Sequence, residues 1–242
     1  MKKIRIKYIE RKFHHFVSLE NSFREIEKGL DKERFEGTFQ ALPYLNNVFG
    51  IVRNLIFFQP EENADIYHLT GHAHYITLLF SPANAVLTIH DVRFLHEKTG
   101  LRRFLLKKIF LDMPVRRLKY ITAVSEKTRE EIILNTNCDP AKVRVLDMPL
   151  VEHMRSVGNK PFNDQKPRIL QIGTMTNKNL PNLARALREI TCTLVIIGRL
   201  TADQINELHA NSIEFENRFD LTNDELRAEY EKADIVSFCS TY

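Results

Sequence analysis

The sequence predicts an α/β protein in two parts, the second built of βαβ units on a parallel sheet. Three observations carry this. From residue 168 onward four short apolar runs, RILQIG, CTLVIIG, SIEFENRF and ADIVSFCS, alternate with three helical patterns, LPNLARALREI, TADQINELHA and TNDELRAEYEKA. Alternation at this length implies βαβ units with right-handed crossovers. A second series of strand-like runs fills the first 150 residues, with ADIYHL and NAVLTIH the clearest. Between the two series, VEHMRSVGNKPFNDQKP is polar, turn-rich and aperiodic, the composition of a linker. Domains are therefore expected at 1–152 and 168–242, joined by a linker at 153–167.

The elements follow in order. KIRIKYI alternates as a first strand, and SLENSFREIEKGL carries apolar residues at helical spacing with Ser18 placed to cap it. The stretch 37–62 is mixed, and IVRNLIFF within it fits a strand or a short helix. GHAHYITLLFSPA reads as a short helix stopped near Pro82, between the strands ADIYHL and NAVLTIH. A basic helix over 101–120, the strand YITAVS, a helix from Ser125 through KTREEIILNT, and a strand in KVRVLDMPL ended by Pro149 complete the first half. In the second half Thr201 with Gln204, and Thr222 with Glu225, have capping-box spacing.

Composition narrows the class. Hydrophobic residues make up 43% and charged residues 27% of 242 positions, ordinary for a globular protein, and no apolar run is long enough for a membrane span. The opening MKKIRIKYIERKF lacks the apolar core of a signal peptide. Cys138, Cys192 and Cys239 are widely spaced without a CxxC pair, which speaks against a disulfide framework or structural zinc and for a reducing compartment. A cytoplasmic protein is expected. Residues 1–150 carry 24 Lys and Arg against 18 Asp and Glu, while the remainder is slightly acidic. Much of the excess lies in LRRFLLKKIFLDMPVRRLKY, seven basic residues with Asp112 the one acid. Such a helix can rest peripherally on an anionic membrane face, or it is a solvated helix whose lysine stems cover apolar surface. A net charge of +4 without a recognition motif argues against nucleic acid.

Ligands of parallel α/β sheets bind outside the carboxyl ends of the strands. That rule selects His68 to Tyr75, with Gly71, His72 and His74 between them; His90 and Asp91; Ser125; the loop GTMTNKN at 173–179; Gly198 with Arg199; and STY at 240–242. In GTMTNKNLPN, Gly173 permits a turn off the strand, Pro181 suits the start of a helix, and free amides there beside Lys178 suit a diphosphate. An ordinary βα turn with a solvated lysine fits equally well. Three readings of the histidines stand together. His68, His72 and His74 with Asp91 have residue types that bind zinc, though spacing alone does not converge them. They also suit plain hydrogen bonding at a strand-end turn. The placement favours a third role, sugar binding or acid–base work. His14, His15, His96, His153 and His209 lack such placement.

Taken in order, SLENSF, HLTGHAHY, TIHD, ITAVSEKT, GTMTNKNLPNLARAL and ADIVSFCSTY resemble the retaining glycosyltransferases of family 4, in the branch that builds bacterial surface polysaccharides. The resemblance spans the chain. It implies the GT-B architecture, two Rossmann-like domains facing across a cleft, with acceptor on the first and nucleotide-sugar donor on the second. It implies that Lys178 holds the donor diphosphate, aided by Gly173, Thr174, Asn179, Gly198 and Arg199. GHAHY resembles an HxHY loop whose histidine touches the donor sugar, so His74 and then His72 are expected there, with His90 and Asp91 beside the reacting sugar. His68, Gly71, Tyr75 and Ser125 are expected to line the acceptor side. Leaving-group charge would be met by Lys178 and backbone amides, with no metal or other cofactor.

The sequence departs from the family's pattern in three places. Thr174 stands where an arginine is frequent, and IERKFHHFV replaces a glycine pair in the first βα loop. In the family, S-x-Y runs into E-G-F-G-L/M-P, whose two glutamates hold the donor. This sequence stops at Tyr242, one residue before the first of them. The second domain is therefore expected to be incomplete, by truncation, and the 242-residue chain to have negligible transferase activity alone. The alternatives are an inactive remnant that binds nucleotide or acceptor weakly, and a zinc hydrolase built on the histidines.

Overall fold

The computed structural model describes residues 2–12, 18–150 and 160–241. The chain divides into two compact units, Met1–Val151 and Glu152–Tyr242. In the first, β1 (Ile4–Glu10), β2 (Phe35–Ala41), β3 (Ile66–Leu69), β4 (Ala85–Ile89), β5 (Tyr120–Ala123) and β6 (Val143–Val145) form one parallel sheet in the order β2-β1-β3-β4-β5-β6. The helices are α1 (Ser18–Lys28), α2 (Val48–Phe57), α3 (Phe94–Glu97), α4 (Gly100–Lys107), α5 (Met113–Arg117) and α6 (Glu126–Thr136). A 3-10 segment, His74–Leu79, follows β3. Parallel neighbours require crossovers, and the central strands are consequently apolar and covered on both faces. Leu87, Ile89, Ile121 and Ala123 are buried in one core with Leu69, Tyr75, Leu111 and Ile132.

The second unit has β7 (Arg168–Ile172), β8 (Thr193–Ile197), β9 (Phe215–Arg218) and β10 (Ile235–Ser237), all parallel in the order β10-β7-β8-β9. Its helices are α7 (Leu180–Leu187), α8 (Ala202–Ala210) and α9 (Asn223–Lys232). Leu180, Leu183, Ala184 and Leu187, at helical spacing, bury one face of α7 against Ile169, Leu194 and Ile196. Both expected capping boxes form, at Thr201 with Gln204 and at Thr222 with Glu225. Residues 160–167 are tied to this unit. The carboxylate of Asp234 pairs with Lys160 at 2.7 Å and accepts from the amides of Asn163 and Arg168.

The α/β class holds, with corrections in detail. The edge strand β2 runs into the stretch 37–62, whose sequence pattern is mixed. Gly37 there lets the Glu27 side chain approach closer than a Cβ would allow, with the Tyr8 ring close beside it. IVRNLIFF belongs to a helix, capped by the Asn47 side chain on Gly50 N. The last strand of the first unit ends at Val145, before Pro149. The basic helix is interrupted by a π-helical turn at Lys108–Asp112, which absorbs Pro114 just beyond it. The first helix opens at Ser18 itself, and the capping role expected of that side chain lies outside the described residues. So do His14, His15, His153 and the first part of the linker.

Candidate functional site

Strand order locates a candidate site in each unit. A doubly wound sheet binds ligands where the chain reverses its direction of travel across the sheet. In the first unit the chain moves from β1 outward to β2 and returns to β3, so the crevice lies beyond the carboxyl ends of β1 and β3. Arg11 follows β1, and Thr70 to His74 follow β3. The Arg11 side chain lies over Gly71, within 3.3 Å of where a Cβ would stand, and its Nε is 3.3 Å from Glu20 Oε1 in the first turns of α1. Glu20 is 3% exposed, and its Oε2 has no partner among the described residues.

Three imidazoles converge there. The ring of His72 is 6.1 Å from that of His74 and 5.9 Å from that of His90, and its Nε2 is 3.6 Å from Asp91 Oδ2. His90 Nε2 donates to the Thr70 carbonyl at 2.7 Å, which leaves Nδ1 as its lone pair. His74 Nδ1 donates to the Phe110 carbonyl, leaving Nε2 buried as a lone pair without a partner among the described residues. Burial pushes all three below the usual imidazole range. His74 falls to about 3, with His72 adding to the effect. For His72 and His90 the fall is opposed by Asp91, and in His90 also by the Thr70 hydrogen bond. The cluster is therefore neutral at pH 7.

Among the expected residues the structure separates surface groups from buried ones. His72 keeps a third of its side chain exposed, whereas His74 is 1% exposed. His72, not His74, is thus the imidazole a ligand can reach. Tyr75 is fully buried; its hydroxyl donates to Asn46 at 2.9 Å and accepts from Asn54 at 2.8 Å, so it supports the loop from beneath. His68 lies within β3, not at its tip. Its ring packs on Tyr8 and Phe23, and Nε2 meets Thr88 Oγ1 at 2.7 Å, in a core environment that lowers it to about 4. Ser125 caps α6, accepting from Thr128 N at 3.1 Å, and Thr128 in turn donates to the His90 carbonyl. Among the described residues no three His, Cys, Asp or Glu side chains converge as metal ligands. Arg11, Glu20 and Asn46, whose amide donates to the His72 carbonyl at 2.6 Å, were not singled out from sequence. The strand-tip rule applied to KIRIKYI would have pointed to Arg11.

In the second unit the chain runs from β7 through β8 to β9 and returns to β10, so the crevice lies between β7 and β10. The loop Gly173–Asn179 leaves β7 at this point. Gly173 has φ of +90°, and a Cβ on it would stand 3.1 Å from Cγ and Cε of Lys178, so the lysine stem lies folded over the glycine. Its ammonium is 5.4 Å from the centroid of the Phe238 ring, just beyond β10, and no carboxylate among the described residues pairs with it. Gln171, 1% exposed, accepts from Ser237 at 2.7 Å and donates to the Lys178 carbonyl at 3.4 Å, tying the loop to the crevice. Asn179 takes the left-handed conformation, φ +57°, and turns the chain into α7, where the amides of Leu180 and Asn182 lack helical acceptors and Pro181 has no N–H. Thr174 packs on Gly198 and donates to the Arg199 carbonyl at 2.8 Å. Arg199 is paired with Asp220 and stacked on Phe219, so among the described residues Lys178 is the cation available at this crevice. Gly173→Ala should cost roughly 1–3 kcal/mol, because alanine is strained at this φ and must displace the lysine stem. Urea denaturation of the variant measures it.

No family model matches the sequence, and no curated protein does. Solved structures match over nearly the whole chain. HepE from Anabaena in complex with UDP is 11% identical, with a TM-score of 0.67 over 99% of this chain and 75% of that one. Its complex with UDP-glucose is 12% identical, with a TM-score of 0.65 and coverage of 99% and 74%. The UDP-GlcNAc 2-epimerase from Neisseria meningitidis bound to UDP-GlcNAc is 9% identical, with a TM-score of 0.54 and coverage of 96% and 76%. At such identities the likeness is one of fold. The chain has the α/β fold of GT-B proteins, with Rossmann-like units built on parallel sheets.

Proposed function

We propose that the chain uses a nucleoside-diphosphate sugar, and that its reaction is transfer of the sugar to a hydroxyl of a glycan or lipid-linked acceptor, with retention, in surface polysaccharide synthesis. The observation that carries the proposal is Lys178, held over Gly173 at the switch point of the second sheet without a carboxylate partner among the described residues. A lone ammonium beside the unsatisfied amides of a helix start is chemistry for a diphosphate. Neighbours of the same fold were crystallised with UDP and UDP-glucose, which supports that donor class. Charge developing on the departing diphosphate would be stabilised by Lys178 and those amides without a metal. In the first unit His72, neutral and reachable, would accept a proton from a hydroxyl. Asp91 would stabilise the imidazolium that forms, and Arg11 and Glu20 would fix the loop.

The test is calorimetric titration of the full chain with UDP-glucose, UDP and uridine. The diphosphates should bind, uridine at least tenfold more weakly, and chelator should change neither. Lys178→Ala should weaken UDP binding tenfold or more, the value of a lost charge-assisted contact. Uridine binding as well as UDP, or an unchanged affinity in Lys178→Ala, would refute the assignment.

A further inference from the structure

The first unit carries an exposed apolar and basic face that the proposed chemistry does not use. Helix α2 is apolar around most of its circumference. Ile51 and Leu55 pack inward, Asn54 is buried, and yet Val48, Phe49, Val52, Ile56 and Phe57 are exposed, Phe49 to 81%. Helix α4 buries no residue at all, and Leu101 and Phe104 are 72% and 61% exposed. Both elements belong to one layer. Asn54 of α2 donates to the Tyr75 hydroxyl, and the Tyr75 ring meets Phe110 of the π turn edge-on at 5.6 Å. Isolated exposed apolar residues are ordinary, but rows of them on two helices of one layer mark an interaction surface.

Charge identifies the partner. Helix α2 contributes Arg53 and no acid, and its flank from residue 100 to 117 contributes six basic residues against Asp112, which is already paired with Lys107 at 2.7 Å. A second copy of this chain would bring the same positive charges face to face, a repulsive pairing. Long aliphatic and aromatic side chains interleaved with arginines fit the interface of a bilayer, where the apolar groups enter the acyl boundary and the guanidinium groups meet phosphate. No helix among the described residues is long and apolar enough to cross a membrane, so the contact would lie on the surface. We propose that α2 and the α4–α5 segment together form a docking face for an anionic phospholipid bilayer. This assignment is independent of the sugar chemistry above.

Co-sedimentation of the full chain with vesicles rich in phosphatidylglycerol, against vesicles of phosphatidylcholine alone, tests it. Binding should be at least tenfold stronger to the anionic vesicles and should fall with added salt. Phe49→Ser combined with Phe57→Ser should weaken it on the apolar side, and Arg102→Glu combined with Arg103→Glu should abolish the preference for anionic lipid. All four positions are exposed, so circular dichroism should be unchanged. Light scattering in the absence of vesicles gives the competing outcome. A dimer in the unsubstituted chain that dissociates in Phe49→Ser/Phe57→Ser would assign the face to self-association and overturn the proposal. Failure to bind anionic vesicles would overturn it as well.

Discussion

Acidification from pH 7 to pH 5 should strip the first unit of a large part of its stability. His68 and His74 titrate at about 4 and about 3 in the folded chain, against an ordinary 6.5, because both rings are desolvated. The fold therefore prefers them neutral, while the unfolded chain takes up protons as soon as pH drops below about 6.5. Their contribution is fully present above that value. It is lost as pH falls toward the folded values, at up to about 1.4 kcal/mol per pH unit for each histidine. By pH 5 the two together amount to roughly 4 kcal/mol, against a typical domain stability of about 5–15 kcal/mol. His72 and His90 shift in the same direction and steepen the fall. With no tryptophan in the chain, and five of seven tyrosines in the first unit, near-UV circular dichroism of tyrosine follows this unit in urea titrations. His74→Asn, which keeps a donor for the Phe110 carbonyl, should flatten the pH slope by about one proton. His68→Gln should do the same at the Thr88 contact. A stability that stays level between pH 7 and pH 5 would show that the rings are not held neutral by the fold.

That cluster also shows where sequence reasoning succeeded and where it stopped. All four strands and three helices of the second unit were legible, because short apolar runs alternate with capped amphipathic helices and local physics agrees with the final fold. The crevice loop Gly173–Asn179 was legible for the same reason. In contrast β2 lies at a sheet edge, half covered and interrupted by Gly37, so its apolar alternation is weak. Spacing draws attention to His68, His72 and His74, but the rings that converge are His72, His74 and His90, and spacing cannot say which of them faces solvent. That depends on the sheet register placing His68 opposite Tyr8, and on Phe110, 36 residues away, closing over His74. Arg11 and Glu20 were missed because the switch point is a property of strand order. The order β2-β1-β3 becomes visible only when the crossovers are known.

In the second unit, Glu229→Ala should be among the most damaging single substitutions. Glu229 is 1% exposed, and it holds Arg168 at 2.8 Å, Arg218 at 3.1 Å and Lys232 at 3.2 Å. Arg168 in turn grips Glu216 through both guanidinium nitrogens. The network joins α9 to β7 and β9 beneath a helix that is otherwise strongly polar. Removing the buried carboxylate leaves Arg168, a fifth exposed, with its remaining acceptor at the sheet edge and its Nε already without a partner. Loss of one partner from a buried pair costs about 3–5 kcal/mol, whereas Glu216→Ala, at a side chain 40% exposed, should cost about 1 kcal/mol or less. Acid titration separates this network from the histidines. Burial pushes Glu229 up, but Arg168, Lys232 and Arg218 outweigh it and hold the carboxyl below its ordinary range; the Arg168 hydrogen bonds hold Glu216 at about 2. These carboxylates contribute above about pH 4.5 and lose their effect only as pH falls toward the folded values. The second unit should therefore keep its stability to urea between pH 7 and pH 5, where that of the first falls, and Glu229→Ala should lower the stability of the second at both pH values. Equal urea midpoints for Glu229→Ala and the unsubstituted chain would mean that α9 is held by its apolar contacts alone.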